Sequence, residues 1–381
     1  MQFNIVADEN MPNVEPWFAP YAKSITRKAG RNLTAADLHQ TDVLLVRSIT
    51  QVNESLLHNT PVKFVGSATI GTDHIDQAYL STQNIHFHHA PGCNAQSVTD
   101  WLLAVLSRLH HDHDVNWMQK VIGVIGVGLV GSTVVKRLEQ LGCTLMVCDP
   151  LKHADGLLDQ HQSMETLLSV CDIVCLHTPH TVEGLFPTDQ MINAQALSKM
   201  RKGSWLINAG RGPVINEAAL LSAISTQGLN VVLDVWPNEP TISTELLNAV
   251  YLASPHVAGY SLEGKYKGTE MLAHALAKTF QLTLDQSITL PVGPSIDARL
   301  FKKADIALWA SEIVLALYDP ARDTATMRIS AGEVGIESDV FDALRKEYPT
   351  RREIASMTVN YAPEALANLL RPYGFNLPAA R

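Results

Sequence analysis

The 381-residue chain is long enough for two or three domains, and with 46% hydrophobic residues it can bury more than one core. Its formal net charge of -9 argues against nonspecific binding to nucleic acid or anionic membranes, so an anionic small molecule needs a local cluster of Arg or Lys. No apolar run approaches the roughly 18 residues of a membrane span, and the amino-terminal "MQFNIVADENMPN" lacks the basic start and apolar core of a signal peptide. Cysteines at 93, 143, 148, 171 and 175 show neither C-x-x-C nor a zinc spacing. They read as buried free thiols in a reducing cytoplasm, with no metal site.

Over the first ninety residues "FNIVAD", "DVLLVRS", "VKFVGSA" and "IHFHHA" each read as a buried strand, and the polar helical patterns between them predict a parallel sheet with helices on its faces. A long helical pattern, "NAQSVTDWLLAVLSRLHHDHD", starts at Asn94 and carries the chain into a second unit. There "VIGVIGV", "TLMVCD", "IVCLHT", "SWLINAG", "VVLDVW" and "VYLASPH" alternate with helical patterns, as in a doubly wound sheet. A further helix, roughly Gly264 to Asp285, is expected to return the chain to the first unit. "SITLPVGPS" at 287 to 295 has the composition of a linker. Beyond it, "IDARLFKKADIALWASEIVLALYD" predicts an amphipathic helix and "ASMTVNYAPEALANLL" a strand followed by a helix. The expected fold class is therefore α/β: two doubly wound parallel-sheet domains, at 1–94 with 257–286 and at 95–256, plus an α+β tail at 287–381.

In the second unit, Gly126, Gly128 and Gly131 have G-x-G-x-x-G spacing behind an apolar strand and ahead of a helix opened by Leu129 and Val130. Glycines there permit a tight turn and close approach of a pyrophosphate to backbone N–H groups at a helix start. Asp149 follows Gly126 by 23 positions, at the end of the next strand, where a carboxylate accepts from ribose hydroxyls. A 2'-phosphate would meet repulsion there, which favours NAD over NADP, although Lys152 is the nearest cation to soften that preference.

Three later strand ends carry charge where such sheets bind ligands: "NAGRG" presents Arg211, "VVLDVWPNEP" Asp234 and Glu239, and "SPHVAG" His256. An imidazole is suited to accept a hydroxyl proton as hydride leaves, a carboxylate to orient it, and a guanidinium to grip a carboxylate by two bonds. Taken in order with the glycine fingerprint, these motifs resemble the D-isomer-specific 2-hydroxyacid dehydrogenases over roughly residues 1 to 285. The resemblance implies that Arg211, Glu239 and His256 form the active site and that Thr178, Asp234 and Gly259 contact the cofactor. It also implies that Arg47, Ser48 in "VRSIT" and Thr69 in "GSATIGTDHID" bind substrate. His180, where the family usually has an apolar residue, is expected to have no chemical duty.

Where relatives commonly carry a small hydroxyl residue, this chain has Tyr260. Tyr260, "IGTDHID" and the added tail resemble one subfamily in which that tyrosine contacts substrate and the tail mediates homodimerisation. That likeness implies NAD-dependent oxidation of 4-phospho-D-erythronate to 2-oxo-3-hydroxy-4-phosphobutanoate, a step of pyridoxal phosphate biosynthesis. The alternatives are D-3-phosphoglycerate oxidation and an NAD-sensing corepressor-like role, the latter opposed by the complete Arg211, Glu239 and His256 set. A phosphate needs more positive charge than Arg47 supplies. "ALRKEYPTRRE" in the tail therefore suggests that Arg345, Lys346, Arg351 or Arg352 reaches an active site, in this chain or its partner. An apolar stripe at Leu300, Ala304, Leu308 and Ile313 is the expected partner-facing surface.

Overall fold

The computed structural model describes residues 2–378, and the chain divides into two compact units, Met1–Asn94 with Ser261–Pro291 and Ala95–Tyr260 with Val292–Arg381.

The first unit is a five-stranded parallel sheet of β1 (Phe3–Asp8), β2 (Ala22–Lys28), β3 (Val43–Val46), β4 (Phe64–Ser67) and β5 (His86–His89), in the order β2-β1-β3-β4-β5. This is the flavodoxin-like order, with its switch point between β1 and β3. The four expected strands are present, and β2 is an addition. Its sequence AKSITRK is charged and largely solvent-facing, as suits an edge strand protected from further pairing. The Leu262–Thr279 helix packs Leu272, Ala273 and Leu276 against Phe3, Ile5 and Phe64 of the sheet. It stops before the expected Asp285 because Gln281 turns into the left-handed region at φ 54°, and Leu282 N–H donates back to the Ala277 carbonyl at 2.8 Å.

The second unit holds β6 (Val121–Ile125), β7 (Thr144–Cys148), β8 (Ile173–Leu176), β9 (Trp205–Asn208), β10 (Asn230–Leu233), β11 (Ile242–Ser243), β12 (Leu252–Ala253), β13 (Ser295–Asp297), β14 (Gly335–Ile336) and β15 (Thr358–Asn360). Six of these form a parallel sheet in the order β12-β10-β9-β8-β6-β7. Both of its faces are covered, which is why its strands read as unbroken apolar runs. Two small pairings lie outside it: β11 with β14, antiparallel, and β13 with β15, parallel.

The tail packs into this second unit. Its Ile306–Leu317 helix buries Trp309, Ala310, Ile313 and Val314 in one core with Trp101, Leu102, Val105 and Leu109 of the Ala95–His113 helix. The expected apolar stripe does not form one face: Leu300 lies in a short 3-10 turn and is 79% exposed, Ala304 precedes the helix, and Ile313 is fully buried. All five cysteines are free, four of them buried. Burial pushes the thiols of Cys143, Cys148 and Cys171 up to about 11, which leaves them unreactive near neutrality. Among the described residues no helix is long and apolar enough to cross a membrane.

Candidate active site

At the six-stranded sheet the strand order reverses at β6, so the crevice beyond the carboxyl ends of β6 and β8 is its topological switch point. The glycine fingerprint occupies it. Gly126 has φ 87°, and a Cβ there would lie 2.8 Å from Thr178 Cγ2, so the loops after β6 and β8 touch through a residue that must lack a side chain. A Cβ on Gly131 would meet the Gly126 carbonyl oxygen at 1.9 Å, which sets the tight entry into the Leu129–Gln140 helix. Around Gly128, its N-cap, nothing lies within 4 Å of the side-chain direction. The first-turn N–H groups of Leu129, Val130 and Gly131 have no partner within the helix.

Asp149 stands at the end of β7 with both carboxylate oxygens engaged. Oδ2 accepts from Val127 N–H of the glycine loop at 2.9 Å, and Oδ1 from Lys152 N–H at 3.1 Å. Beyond β8, the Thr178 hydroxyl and both His177 ring nitrogens are buried without a hydrogen-bond partner among the described residues, a cost that an incoming polar ligand removes. Open space over Gly128, donors at a helix start, a ribose-side carboxylate and an orphaned hydroxyl together fit a bound dinucleotide.

Toward β9, β10 and β12 the surface becomes charged. Arg211 follows β9, where Asn208 pins the turn by donating to the Arg211 carbonyl at 3.0 Å and accepting from Gly210 N–H at 3.0 Å. The guanidinium donates to the Gly210 carbonyl at 2.9 Å, so one Nη is held against its own backbone.

His256 follows β12 with φ 55°, a left-handed conformation uncommon for residues other than glycine. Asp234, fully buried at the end of β10, holds it there. The Asp234 carbonyl accepts from His256 N–H at 2.7 Å, while its carboxylate accepts from Ser254 Oγ at 2.6 Å, Val257 N–H at 2.8 Å and Ala258 N–H at 3.0 Å. Burial nonetheless holds the Asp234 carboxyl above its ordinary pKa, with His256 and these donors opposing. Asp234, expected at the nicotinamide end of the cofactor, also braces the His256 loop through these hydrogen bonds.

Glu239 reaches the ring. His256 Nδ1 donates to Glu239 Oε1 at 2.7 Å, and Trp236 N–H donates to Oε2 at 3.2 Å. Burial alone raises the Glu239 pKa, but charge on His256, the hydrogen bond to it, and the Arg345 cation more than offset this and hold it below its ordinary value. An ionised Glu239 fixes the proton on Nδ1 and leaves Nε2 as the nitrogen able to accept another.

Tyr260 N–H donates to the Val257 carbonyl at 2.8 Å, closing the turn after His256 and Gly259. Two tail arginines converge on this loop. Arg351 is buried, donates to the carbonyls of Ser97 (3.3 Å) and Ala258, and lies 4.7 Å over the Tyr318 ring. Arg345 lies 5.6 Å over the Tyr260 ring. Lys346 is exposed, and Arg352 donates to the Val292 carbonyl at 3.2 Å. His180 Nε2 sits 2.8 Å from Asp189 Oδ1 within the loop after β8.

The remaining expected residues belong to the first unit, at the carboxyl ends of β3 and β4. Arg47 Nη1 is 3.9 Å from the buried Asp8 carboxylate, and Ser48 is exposed beside it. The Thr69 hydroxyl donates to the Gly71 carbonyl at 2.8 Å and lies 2.7 Å from Ser67 Oγ, itself 2.9 Å from His74 Nε2. Thr69 thus spends its proton on its own turn and offers a ligand only its lone pairs.

The chain is similar to known proteins over nearly its whole length. Residues 90–258 match the model of the D-isomer specific 2-hydroxyacid dehydrogenase NAD-binding domain, and residues 290–374 match a domain of unknown function, DUF3410. The chain is 42% identical over 378 residues to an erythronate-4-phosphate dehydrogenase of Pseudomonas fluorescens, covering 97% of this chain and 98% of the relative. A Marinomonas protein of the same name is 40% identical over 98% of this chain and 99% of its own. Among solved structures, NAD-bound 3-phosphoglycerate dehydrogenase of Entamoeba histolytica superposes with a TM-score of 0.63 at 20% identity, over 74% of this chain and 96% of that one, a likeness of fold. NAD-dependent formate dehydrogenase of Staphylococcus aureus gives 0.58 at 25% identity, over 72% and 95%. A fingerprint at the switch point, a carboxylate-held histidine and near full-length likeness to these relatives lead to one assignment: the chain belongs to the D-isomer specific 2-hydroxyacid dehydrogenase family, with the erythronate-4-phosphate dehydrogenases as its relatives.

Proposed function

We propose that the chain oxidises 4-phospho-D-erythronate at C2 to 2-oxo-3-hydroxy-4-phosphobutanoate with NAD, as a step of pyridoxal phosphate biosynthesis. The observation that carries this reading is the 2.7 Å bond between His256 Nδ1 and Glu239 Oε1. Bound NAD supplies the hydride acceptor. As the C2 hydrogen leaves with its electron pair, the hydroxyl proton passes to His256 Nε2, and Glu239 neutralises the imidazolium so formed. Arg211 grips the substrate carboxylate and polarises the new carbonyl oxygen. Gly126, Gly128, Leu129, Val130 and Gly131 hold the pyrophosphate, Asp149 the adenosine ribose, and Thr178 and Gly259 the nicotinamide half, with Asp234 acting through the His256 loop. Tyr260 contacts the substrate in the second unit, and the family likeness assigns substrate binding to Arg47, Ser48 and Thr69 of the first.

The reading includes a cytoplasmic homodimer joined through the tail. Five free cysteines support the compartment, and Leu300, Ile329 and Val334, all more than three-quarters exposed on the tail, support the contact. Light scattering on the chain and on a Leu300→Asp, Ile329→Asp double variant tests it: the first should be a dimer and the second a monomer.

The reaction itself is tested by NADH formation with 4-phosphoerythronate, 3-phosphoglycerate and unphosphorylated erythronate side by side. Selective turnover of the first is expected. Preference for 3-phosphoglycerate, or silence with NADH binding intact, overturns the assignment.

A further inference from the structure

Of four basic tail residues that a phosphorylated substrate makes interesting, Arg345 and Arg351 each keep a buried donor without a partner among the described residues, and Arg345 is the one that lies against Tyr260. Arg345 closes the Ser338–Lys346 helix. That helix is fixed to the catalytic segment by the β11–β14 pairing, Ile242 opposite Ile336 and Ser243 opposite Gly335, which begins three residues after Glu239. Thr244 adds a hydrogen bond from its hydroxyl to the Glu333 carbonyl at 3.0 Å, and Phe341, fully buried, anchors the helix one turn before Arg345. The side chain then has little freedom. Its guanidinium carbon lies 5.6 Å from the Tyr260 ring centre and 5.7 Å from that of Phe341, and Tyr348 closes the far side edge-on, 6.1 Å from Tyr260.

The hydrogen bonds of Arg345 are incomplete. It bonds to Tyr260, and its Nε–H is buried without a partner among the described residues. Glu239 feels the charge of Arg345, but its hydrogen bonds run to His256 and to Trp236 N–H. A guanidinium presents five N–H groups in a planar fork, and leaving them unfilled away from water is costly unless an anion arrives. Arg351 also keeps a buried Nη1 without a partner among the described residues, but its Nη2 is bonded to the Ser97 and Ala258 carbonyls and its guanidinium lies over Tyr318 rather than Tyr260; Arg352 donates to the Val292 carbonyl, and Lys346 is exposed.

We propose that Arg345 and Tyr260 together form the subsite that receives the phosphate of the substrate, so that the tail completes the active site of its own chain. The inference rests on the phosphorylated-acid reading of the reaction. It divides the labour between two arginines of the same unit: Arg211 takes the carboxylate beside the reacting carbon and Arg345 the distal phosphate, a bidentate match of fork to oxyanion. It also gives the tail a role in selectivity besides any part in assembly.

The test measures kcat/KM for 4-phosphoerythronate and for unphosphorylated erythronate in the wild type, Arg345→Met and Arg345→Lys. Melting temperature with and without inorganic phosphate is recorded on the same NADH-bound proteins. We expect the ratio of the two kcat/KM values to fall at least thirtyfold in Arg345→Met, chiefly through KM, and by an intermediate factor in Arg345→Lys. Phosphate should raise the melting temperature of the wild type and not of Arg345→Met. An unchanged ratio, with both acids losing equally, makes Arg345 a support for Glu239 and overturns the subsite, as does an equal phosphate-induced shift in all three proteins or none in the wild type. If the wild type makes no NADH from 4-phosphoerythronate, the assigned reaction fails, and the phosphate shift still decides the subsite. If Arg345→Met does not fold, Arg345→Lys carries both readouts.

Discussion

Asp234 and His256 are joined through backbone and side chain alike: the Asp234 carbonyl accepts from His256 N–H at 2.7 Å, and its carboxylate accepts from the next two amides, Val257 at 2.8 Å and Ala258 at 3.0 Å. These bonds fold the chain back on itself, and they hold His256 at φ 55°. An asparagine offers one acceptor oxygen where the aspartate offers two, and turns an N–H₂ toward the amides. Asp234→Asn should therefore cost about 1–3 kcal/mol of stability and lower kcat by misplacing the ring. Denaturant unfolding checks the first, and a fully stable variant would show that the loop holds itself.

Glu239→Gln keeps the shape of the side chain and removes its charge. The imidazolium formed during oxidation then lacks its counterion, and kcat should fall by about 10² to 10⁴. NADH affinity, measured by fluorescence, should stay within twofold, since the fingerprint loop is untouched. A loss in NADH affinity equal to the loss in kcat would mean that Glu239 serves the fold.

Asp149 ties the glycine loop to β7 through Val127 N–H and caps the Pro150–Ala154 helix through Lys152 N–H. Asp149→Ala should weaken NADH binding at least tenfold while narrowing the preference over NADPH, because the repulsion against a 2'-phosphate is gone. Titration of both nucleotides by fluorescence checks this, and an unaltered preference would remove Asp149 from the ribose site.

Asp100, buried on the Ala95–His113 helix, accepts from Ile354 N–H of the tail at 2.7 Å. Burial, against that hydrogen bond and with Glu353 adding to it, pushes its pKa up to about 7. The folded value lies above the unfolded 3.8, so the stabilising contribution is complete below pH about 4 and is lost as pH rises through about 7. The wild-type melting temperature should therefore fall from pH 5 to pH 8 by several °C more than that of Asp100→Asn, on the order expected from such a linkage. Parallel slopes would place the Asp100 titration elsewhere.

Much of this was legible in the sequence where function demanded unusual residues inside apolar surroundings. The six sheet strands of the second unit read as apolar runs because helices cover both faces, and the glycines, Asp149, Arg211, Glu239 and His256 fall at strand ends where periodicity stops. β2 escaped because an edge strand such as AKSITRK has no buried face to mark it. β11 and β14 escaped because a two-residue strand has no period, yet their pairing is what brings Arg345 to the catalytic segment. Likewise nothing in "ALRKEYPTRRE" distinguishes Arg345 from its neighbours. The choice depends on contacts with Tyr260, 85 positions earlier, and the same holds for Arg351 on Ala258. Asp234 was visible as a residue but not as a brace, since its partners are backbone amides that any sequence supplies.

In the proposed reaction hydride leaves C2 of 4-phospho-D-erythronate while the hydroxyl proton goes to the His256–Glu239 pair. The most direct test supplies 4-phosphoerythronate deuterated at C2, with NAD, to the wild type and to His256→Asn, and reads the NADH by mass spectrometry. Deuterated NADH is expected from the wild type, and almost none from His256→Asn although it still binds NADH. Undeuterated NADH, or equal yields from the two proteins, would contradict the proposed reaction.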